Sequence, residues 1–151
     1  MPGGGAQFDA DARRLFLFEG MPDPSIRFHL ARTVARLECD SELGDLIVDE
    51  RLTTDEAARR ARGALERYLA AAILFPYDEF LASAIEFRYD IERLARRFGG
   101  SFEQIAHRLV SLKSPDAEGV PFAFMRVDAA GNISKRFSLS NLRLPRYRES
   151  C

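Results

Sequence analysis

The segment formed by residues 57–75 is rich in strong helix formers and ends where Pro76 interrupts it. Thr53-Thr54-Asp55-Glu56 precedes it with the spacing of a capping box, in which a threonine hydroxyl and a glutamate carboxylate accept hydrogen bonds from the free amides of a helix start. The sequence therefore predicts one long helix, in which Gly63 costs about 1 kcal/mol relative to alanine. A chain of 151 residues that packs around such a helix can bury roughly 70% of its unfolded surface in one domain.

Another helix is indicated upstream, where Asp23 supplies an N-cap and Pro24 the first helical position. Four apolar residues then recur at helical spacing and are expected to face the core: Ile26, Leu30, Val34 and Leu37. On another side of the same helix, His29, Arg32 and Arg36 also follow helical spacing. We therefore expect their side chains to point into one common space.

Three shorter helices are predicted after the long one. Two of them cover residues 77–87 and 90–98, and a glycine pair follows the second, where it can end a helix. Ser101 and Gln104 form a further capping-box pattern, which starts a helix that runs through residue 112.

The predicted strands lie near the two ends of the chain. A short aromatic-rich run at residues 14–18 indicates a strand, and two extended runs at residues 122–127 and 133–139 flank a glycine-containing turn and predict a β-hairpin. The fold class is therefore α+β, mainly helical, with a short N-terminal strand and a C-terminal hairpin. Three polar side chains share one face of this hairpin if the strand register permits: Arg126, Ser134 and Arg136.

Charge and cysteine usage exclude several classes of protein. The 22 basic and 23 acidic residues nearly cancel, which argues against a bulk electrostatic grip on DNA or on an anionic membrane. The two cysteines, Cys39 and Cys151, are too few for a secreted domain held by several disulfide bridges. No apolar run reaches the roughly 18 residues of a membrane span, and residues 1–5 lack the features of a signal peptide. We expect a cytoplasmic protein with a flexible lead (residues 1–7), one domain (8–140) and a basic tail (141–151).

Several blocks of the chain resemble known families. Residues 27–31, 68–77 and 88–104 are similar to ImmA/IrrE-type domains. Residues 107–109, 119–122 and 124–136 look like the short-chain fatty acyl transcriptional regulators, a branch of the Xre-type bacterial regulators. The resemblance implies a metallopeptidase-like fold, a helix-turn-helix before this domain and a cysteine-containing region after it. Neither flank is evident, so the chain resembles an excised domain or a truncated regulator, and an iron-sulfur cluster is not carried over to a lone terminal cysteine.

The same resemblance shows where the zinc-binding pattern is lost. It places Arg32, Thr33 and Arg36 at the histidine, glutamate and histidine positions of a zinc peptidase, and Gly63 close to the position of the later acidic ligand. A guanidinium has no lone pair for a metal and its permanent charge repels a dication. The resemblance therefore implies a domain without catalysis and without a metal site.

Relatives of this branch are thought to sense coenzyme A thioesters, which implies a ligand sensor. We expect a short-chain acyl-CoA or a similar anionic effector as the ligand, and no cofactor. We expect contact with DNA only through a helix-turn-helix not present in this chain. The other expected partner is a possible second copy of the chain, in a homodimer, and no membrane partner is expected. The candidate ligand-binding residues are His29, Arg32, Arg36, Tyr77, Arg88, Tyr89, Arg108, Phe124, Arg126, Lys135 and Arg136. A salt-bridged or solvated role is the competing interpretation for each arginine. A divergent zinc metallopeptidase and a dimerisation module without a small-molecule ligand remain the alternative functions.

Overall fold

Six helices and three antiparallel strand pairs make up residues 6–47 and 54–138, the part of the chain that this computed structural model describes. The predicted α+β class is confirmed. In chain order the elements are β1 (Gln7–Asp9), β2 (Arg14–Phe16), α1 (Asp23–Glu38), α2 (Asp40–Ile47), α3 (Asp55–Leu74), α4 (Tyr77–Glu86), α5 (Ile91–Phe98), α6 (Phe102–Val110), β3 (Lys113–Ser114), β4 (Ala117–Glu118), β5 (Ala123–Val127) and β6 (Ile133–Ser138).

The described residues fall into two compact units that divide between Pro76 and Tyr77. Residues 1–5 of the predicted lead, Thr53 of the predicted capping box, Leu139 of the predicted strand and the whole predicted tail lie outside the described residues. The division into a lead, one domain and a tail stays a prediction. Within residues 6–47 and 54–138, no single helix is long and apolar enough to span a membrane.

In the first unit, α1 packs against α3, and α2 contacts both helices. Strands β1 and β2 form a hairpin in which Phe8 pairs with Leu15. The sequence prediction missed β1 and α2, and it placed the end of β2 two residues too late, since β2 ends at Phe16. These elements are short, so their apolar patterns are too brief to separate from loops.

The predicted core face of α1 is wrong. Leu30, Val34 and Leu37 are 48%, 49% and 52% exposed, whereas Ala31 and Ala35 are buried. Small side chains let two helix backbones approach closely, and α1 packs against α3. Close helix packing thus favours burial of the two alanines, and three of the four residues of the predicted apolar stripe are about half exposed.

The start positions of α1 and α3 each differ by one residue from the prediction. Pro22 stands at the N-cap of α1, and Asp23 lies in the first turn, where its negative charge favours the helix dipole. Thr54 caps α3, because its hydroxyl accepts a hydrogen bond of 3.1 Å from the backbone N–H of Ala57.

The second unit contains α4 to α6 and the remaining strands, and its helix caps follow the sequence closely. Asp90 caps α5 by accepting from the N–H of Arg93, Gly99 ends that helix with φ of 63°, and Ser101 and Gln104 form the predicted capping box. The second helix of this unit therefore starts after Asp90, and α6 ends at Val110, not Leu112.

A buried apolar cluster lies within the second unit. It contains Phe80, Leu94, Phe98, Ile105, Leu109 and Leu112. The rings of Phe80 and Phe98 lie 5.1 Å apart between centroids in a tilted arrangement. Strands β5 and β6 contact α6, so the predicted hairpin is present and rests on the last helix.

Candidate functional site

A cavity of about 170 Å³ opens in the first unit beside α1. His29, Arg32 and Arg36 line it, as their spacing on the helix predicted. The other lining residues come from the first hairpin, α1 and α3: Ala6, Phe8, Leu15, Thr33 and Glu66. The cavity is thus a mixed site, with apolar groups from the hairpin and charged groups from the two helices.

Arg32 forms the principal ion pair of this cavity. Its Nε and Nη2 donate to Oε2 of Glu66 at 3.0 and 2.8 Å. Glu66 is only 6% exposed, and its Oε1 also lies 3.5 Å from Nε of Arg62, which in turn pairs with Asp40 of α2. A buried carboxylate requires such partners because leaving it uncompensated costs several kcal/mol. The four charged side chains form one alternating network that joins α1, α3 and α2.

The remaining cavity residues define its charge. The Arg36 guanidinium lies 5.7 Å from the ring centroid of Phe8, within cation–π range. The Thr33 hydroxyl donates to the His29 carbonyl at 2.9 Å, so it is satisfied within its own helix. Burial, and then the charge of Arg32, lower the pKa of His29 from its ordinary value, which keeps the imidazole neutral at pH 7. Two guanidinium charges against one carboxylate leave the lining with one net positive charge.

The donor set of the cavity does not fit a zinc centre. Guanidinium nitrogens offer no lone pair, and the lining supplies a single imidazole and a single carboxylate. In the part of the chain that the structure describes, no group of three or more His, Cys, Asp or Glu residues is placed to hold a metal ion. The guanidinium of Arg32 stands against Glu66, so a cation already accompanies this carboxylate.

Gly63 borders the Arg32 guanidinium. A Cβ at this position would lie 3.4 Å from Nη1 of Arg67 and 3.9 Å from Nη2 of Arg32, which is ordinary contact. The family resemblance placed the lost acidic ligand close to Gly63, whereas the carboxylate that meets Arg32 belongs to Glu66. Residues three apart share a helix face, so this spacing was the available signal, and the sequence analysis missed it.

Tyr77 and Arg108 belong to the framework of the second unit. The Tyr77 hydroxyl donates to the carbonyl of Ala117 and accepts from the N–H of Ser114, both at 2.8 Å, which ties α4 to β3 and β4. Arg108 is buried, and its guanidinium lies 5.6 Å from the Tyr77 ring centroid. Both side chains therefore have structural contacts that explain their presence.

The hairpin cations meet one carboxylate of α6. Arg126 donates from Nη1 to Glu103 at 3.1 Å, and Lys135, which pairs with Arg126 across the strands, also contacts Glu103. These two cations lower the pKa of Glu103, Lys135 having the larger effect. Arg136 pairs with Met125 instead, which places it on the opposite face of the hairpin from Arg126. A register shift between Arg126 and Val127 leaves Ser134 without a partner in the strand pairing, and its hydroxyl accepts from Nε of Arg126 at 2.9 Å. The hairpin thus brings Arg126 to Ser134, whereas Arg136 lies opposite Met125.

Two of the last three candidates, Phe124 and Tyr89, have packing contacts, and the third, Arg88, lies beside Tyr89. Phe124 lies 4.8 Å from the ring of His107, and Tyr89 lies 5.4 Å from the ring of Phe122. Arg88 and Tyr89 both have positive φ, 51° and 62°, in the connection between α4 and α5. The structure brings His29, Arg32 and Arg36 together and places the other eight candidates in the second unit. A ligand-binding role for these residues stays a prediction.

The lowered pKa values of the two histidines predict that the folded chain loses stability in acid. Burial is the largest cause of the lowered pKa of both His29 and His107, with Arg32 and Lys135 respectively adding to it. Since the unfolded chain then binds more protons, stability falls as the pH drops through about 6.5. We expect the melting temperature to fall between about pH 7.5 and 5.5, and a His29→Gln/His107→Gln variant to flatten the profile. A wild-type profile that is level or rises toward acid contradicts this.

Comparison with known proteins gives consistent matches along the whole chain. The sequence model of the IrrE N-terminal-like domain (Peptidase_M78) matches residues 1–110, and that of the short-chain fatty acyl coenzyme A regulator C-terminal domain matches residues 111–151. The propionyl-CoA carboxylase regulator of Cereibacter sphaeroides is 45% identical over 128 residues, which are 85% of this chain and 28% of that protein.

Two regulators of Mycobacterium tuberculosis are also similar. The HTH-type transcriptional regulator RamB is 45% identical over 74% of this chain and 23% of its own length, and PrpR is 40% identical over 82% and 26%. A solved structure of a Mycobacterium tuberculosis transcriptional regulator superposes with a TM-score of 0.83 at 35% identity, over 90% of this chain and 41% of that one. The chain thus spans about a quarter of the length of the curated relatives it matches.

Proposed function

The chain belongs to the family of IrrE N-terminal-like domains, joined to the C-terminal domain of short-chain fatty acyl coenzyme A regulators, and on that premise we propose that it is the ligand-sensing part of a bacterial transcriptional regulator. Its effector in this proposal is a short-chain acyl-CoA. The chain reads no DNA bases; DNA binding belongs to a helix-turn-helix elsewhere in the longer protein, which acts in the cytoplasm as a homodimer and controls genes of carbon or fatty-acid metabolism.

The observation that carries the proposal is a cavity lined by two guanidinium groups, at positions where the family resemblance places metal ligands. Arg32 and Arg36 line it from α1, and the net charge of its lining is positive. Arginine suits phosphate and carboxylate groups because its planar fork donates two parallel hydrogen bonds. The names of the relatives also support a role in transcription regulation, since one is a propionyl-CoA carboxylase regulator and two are HTH-type transcriptional regulators.

The size of the cavity limits what it holds. Pockets that enclose drug-sized ligands measure roughly 300–1,000 Å³, whereas this cavity measures about 170 Å³. In the proposal it therefore receives one anionic group of the acyl-CoA, and the rest of the ligand lies outside it. A sensor of this kind requires no catalysis, because a ligand shifts an equilibrium by its different affinity for two arrangements of the protein.

Calorimetry with a panel of ligands tests the proposal. We expect saturable binding of acetyl-, propionyl- or butyryl-CoA, with at least one thioester binding more tightly than free CoA, and a melting temperature that rises with ligand concentration. Absent heats and unchanged melting across the panel would argue against a sensor. Zinc analysis with a peptide-cleavage assay addresses the peptidase alternative, and light scattering with and without propionyl-CoA addresses the dimerisation alternative.

A further inference from the structure

We propose that Glu66 is a built-in counter-ion that competes with an incoming anion for Arg32, so that this carboxylate sets the affinity of the cavity and relays its occupancy to α2. The inference rests on the proposed function, because it concerns the regulation of the same cavity. Its test separates the two ideas, since one of the probes is a simple anion that has no acyl or adenine group.

Arg32 is both engaged and accessible. Its Nε and one N–H of Nη2 are held by Glu66, while the side chain remains 36% exposed. The other guanidinium N–H groups have no protein partner among residues 6–47 and 54–138, and they border the cavity. A guanidinium offers five N–H donors. An anion that approaches these N–H groups therefore meets a guanidinium whose charge Glu66 already partly neutralises.

The buried carboxylate opposes such an anion. Glu66 lines the same cavity as Arg32 and Arg36, so a second anion placed between the arginines lies close to a like charge. Like charges placed next to each other at a binding site weaken binding. Either the anion binds weakly or Arg32 turns from Glu66 toward it. Removing the charge of Glu66 raises the net charge of the lining from one positive charge to two.

Displacement of Arg32 has a consequence at α2. Once Arg32 leaves, Arg62 remains as the cation beside the buried carboxylate, 3.5 Å from its Oε1. Arg62 also pairs with Asp40, the first residue of α2. A stronger pull of Glu66 on Arg62 weakens the contact with Asp40. The order Arg32, Glu66, Arg62, Asp40 thus links the occupancy of the cavity to the attachment of α2.

The experiment compares wild type with Glu66→Gln and Glu56→Gln. Glutamine keeps the shape of the buried side chain and removes its charge. Glu56 is the matched control, because it lies on the same helix and pairs with Arg59 and Arg60 in an exposed position where ion pairs are screened. Orthophosphate and propionyl-CoA are titrated separately. We expect Glu66→Gln to bind orthophosphate about tenfold more tightly or better, and Glu56→Gln to match wild type.

A second readout requires no substitution. In wild type, the arginine Nε–Hε resonances of Arg32 and Arg62 should move together on orthophosphate titration, while those of Arg59 and Arg60 stay in place. If Glu66→Gln proves unfolded, these resonances decide the question alone. Unchanged Arg32 and Arg62 resonances, or equal anion affinity in folded Glu66→Gln and wild type, overturn the counter-ion.

The two probes distinguish the two ideas. If wild type binds propionyl-CoA and Glu66→Gln does not bind it more tightly, the result supports the sensor and overturns the counter-ion. Tighter orthophosphate binding by Glu66→Gln, with no propionyl-CoA binding by either protein, supports the counter-ion and overturns the sensor. No binding of either probe to either protein overturns both.

Discussion

Phe80→Ala should destabilise the chain by about 3–5 kcal/mol, the range of phenylalanine truncations in well-packed cores. Phe80 is 0% exposed, and its ring packs against Phe98. The surrounding helices restrict collapse around the missing ring, so a cavity adds to the lost burial. We expect the melting temperature to fall by roughly 10 °C, measured by circular dichroism at neutral pH.

A matched control exists in the same unit. Phe102 is 59% exposed at the start of α6, so Phe102→Ala should change stability by no more than about 0.5 kcal/mol. If the melting temperatures of Phe80→Ala and Phe102→Ala are equally close to that of wild type, the buried position of Phe80 is contradicted.

Helix boundaries with local hydrogen bonds were largely predictable from the sequence. Ser101 and Gln104 cap α6 as their spacing indicated, and Asp90 caps α5. Each such bond joins residues only three apart, so both partners can be recognised within one short stretch of sequence. The start of α3 was misplaced by one residue because two adjacent threonines offer equivalent hydroxyls, and Thr54 makes the bond.

The buried face of α1 was not predictable from its apolar pattern. Leu30, Val34 and Leu37 satisfy helical spacing, yet Ala31 and Ala35 meet the core. Hydrophobicity favours the larger side chains, but which face is buried depends on the shape of the partner helix. The sequence does not reveal the position of the elements that pack against α1, so the burial of the alanine side could not be predicted.

The site was predictable where one helix supplies it and not where two helices meet. Spacing alone grouped His29, Arg32 and Arg36, and all three line the cavity. The partner of Arg32 lies 34 residues away on α3, where Glu66 reads as an ordinary helix former. In the second unit, the hairpin register likewise decided that Arg126 and Lys135 share Glu103. Long-range pairs of this kind leave no pattern within one helix, and only the position of Glu66 three residues after Gly63, near which the family resemblance placed the lost acidic ligand, pointed to the pair with Arg32.

Arg32→Ala/Arg36→Ala should weaken propionyl-CoA binding about a hundredfold or more if the cavity is the anion site. Each charge-assisted hydrogen bond contributes roughly 1.5–3 kcal/mol, and two are removed. The same change leaves Glu66 without the hydrogen bonds of Arg32, so its charge repels the ligand further. Calorimetry at fixed ionic strength measures the loss, since surface electrostatics depend on salt.

Two controls make the result of this substitution specific. Arg59→Ala/Arg60→Ala removes the same number of charges from exposed positions on α3 and should bind as wild type does. Adding Glu66→Gln to the double variant removes the buried charge that has lost the hydrogen bonds of Arg32, so stability should recover while the arginine donors remain absent. If that triple variant is folded and binds propionyl-CoA as tightly as wild type, the anion site lies outside this cavity, and Arg32 serves only to hold Glu66.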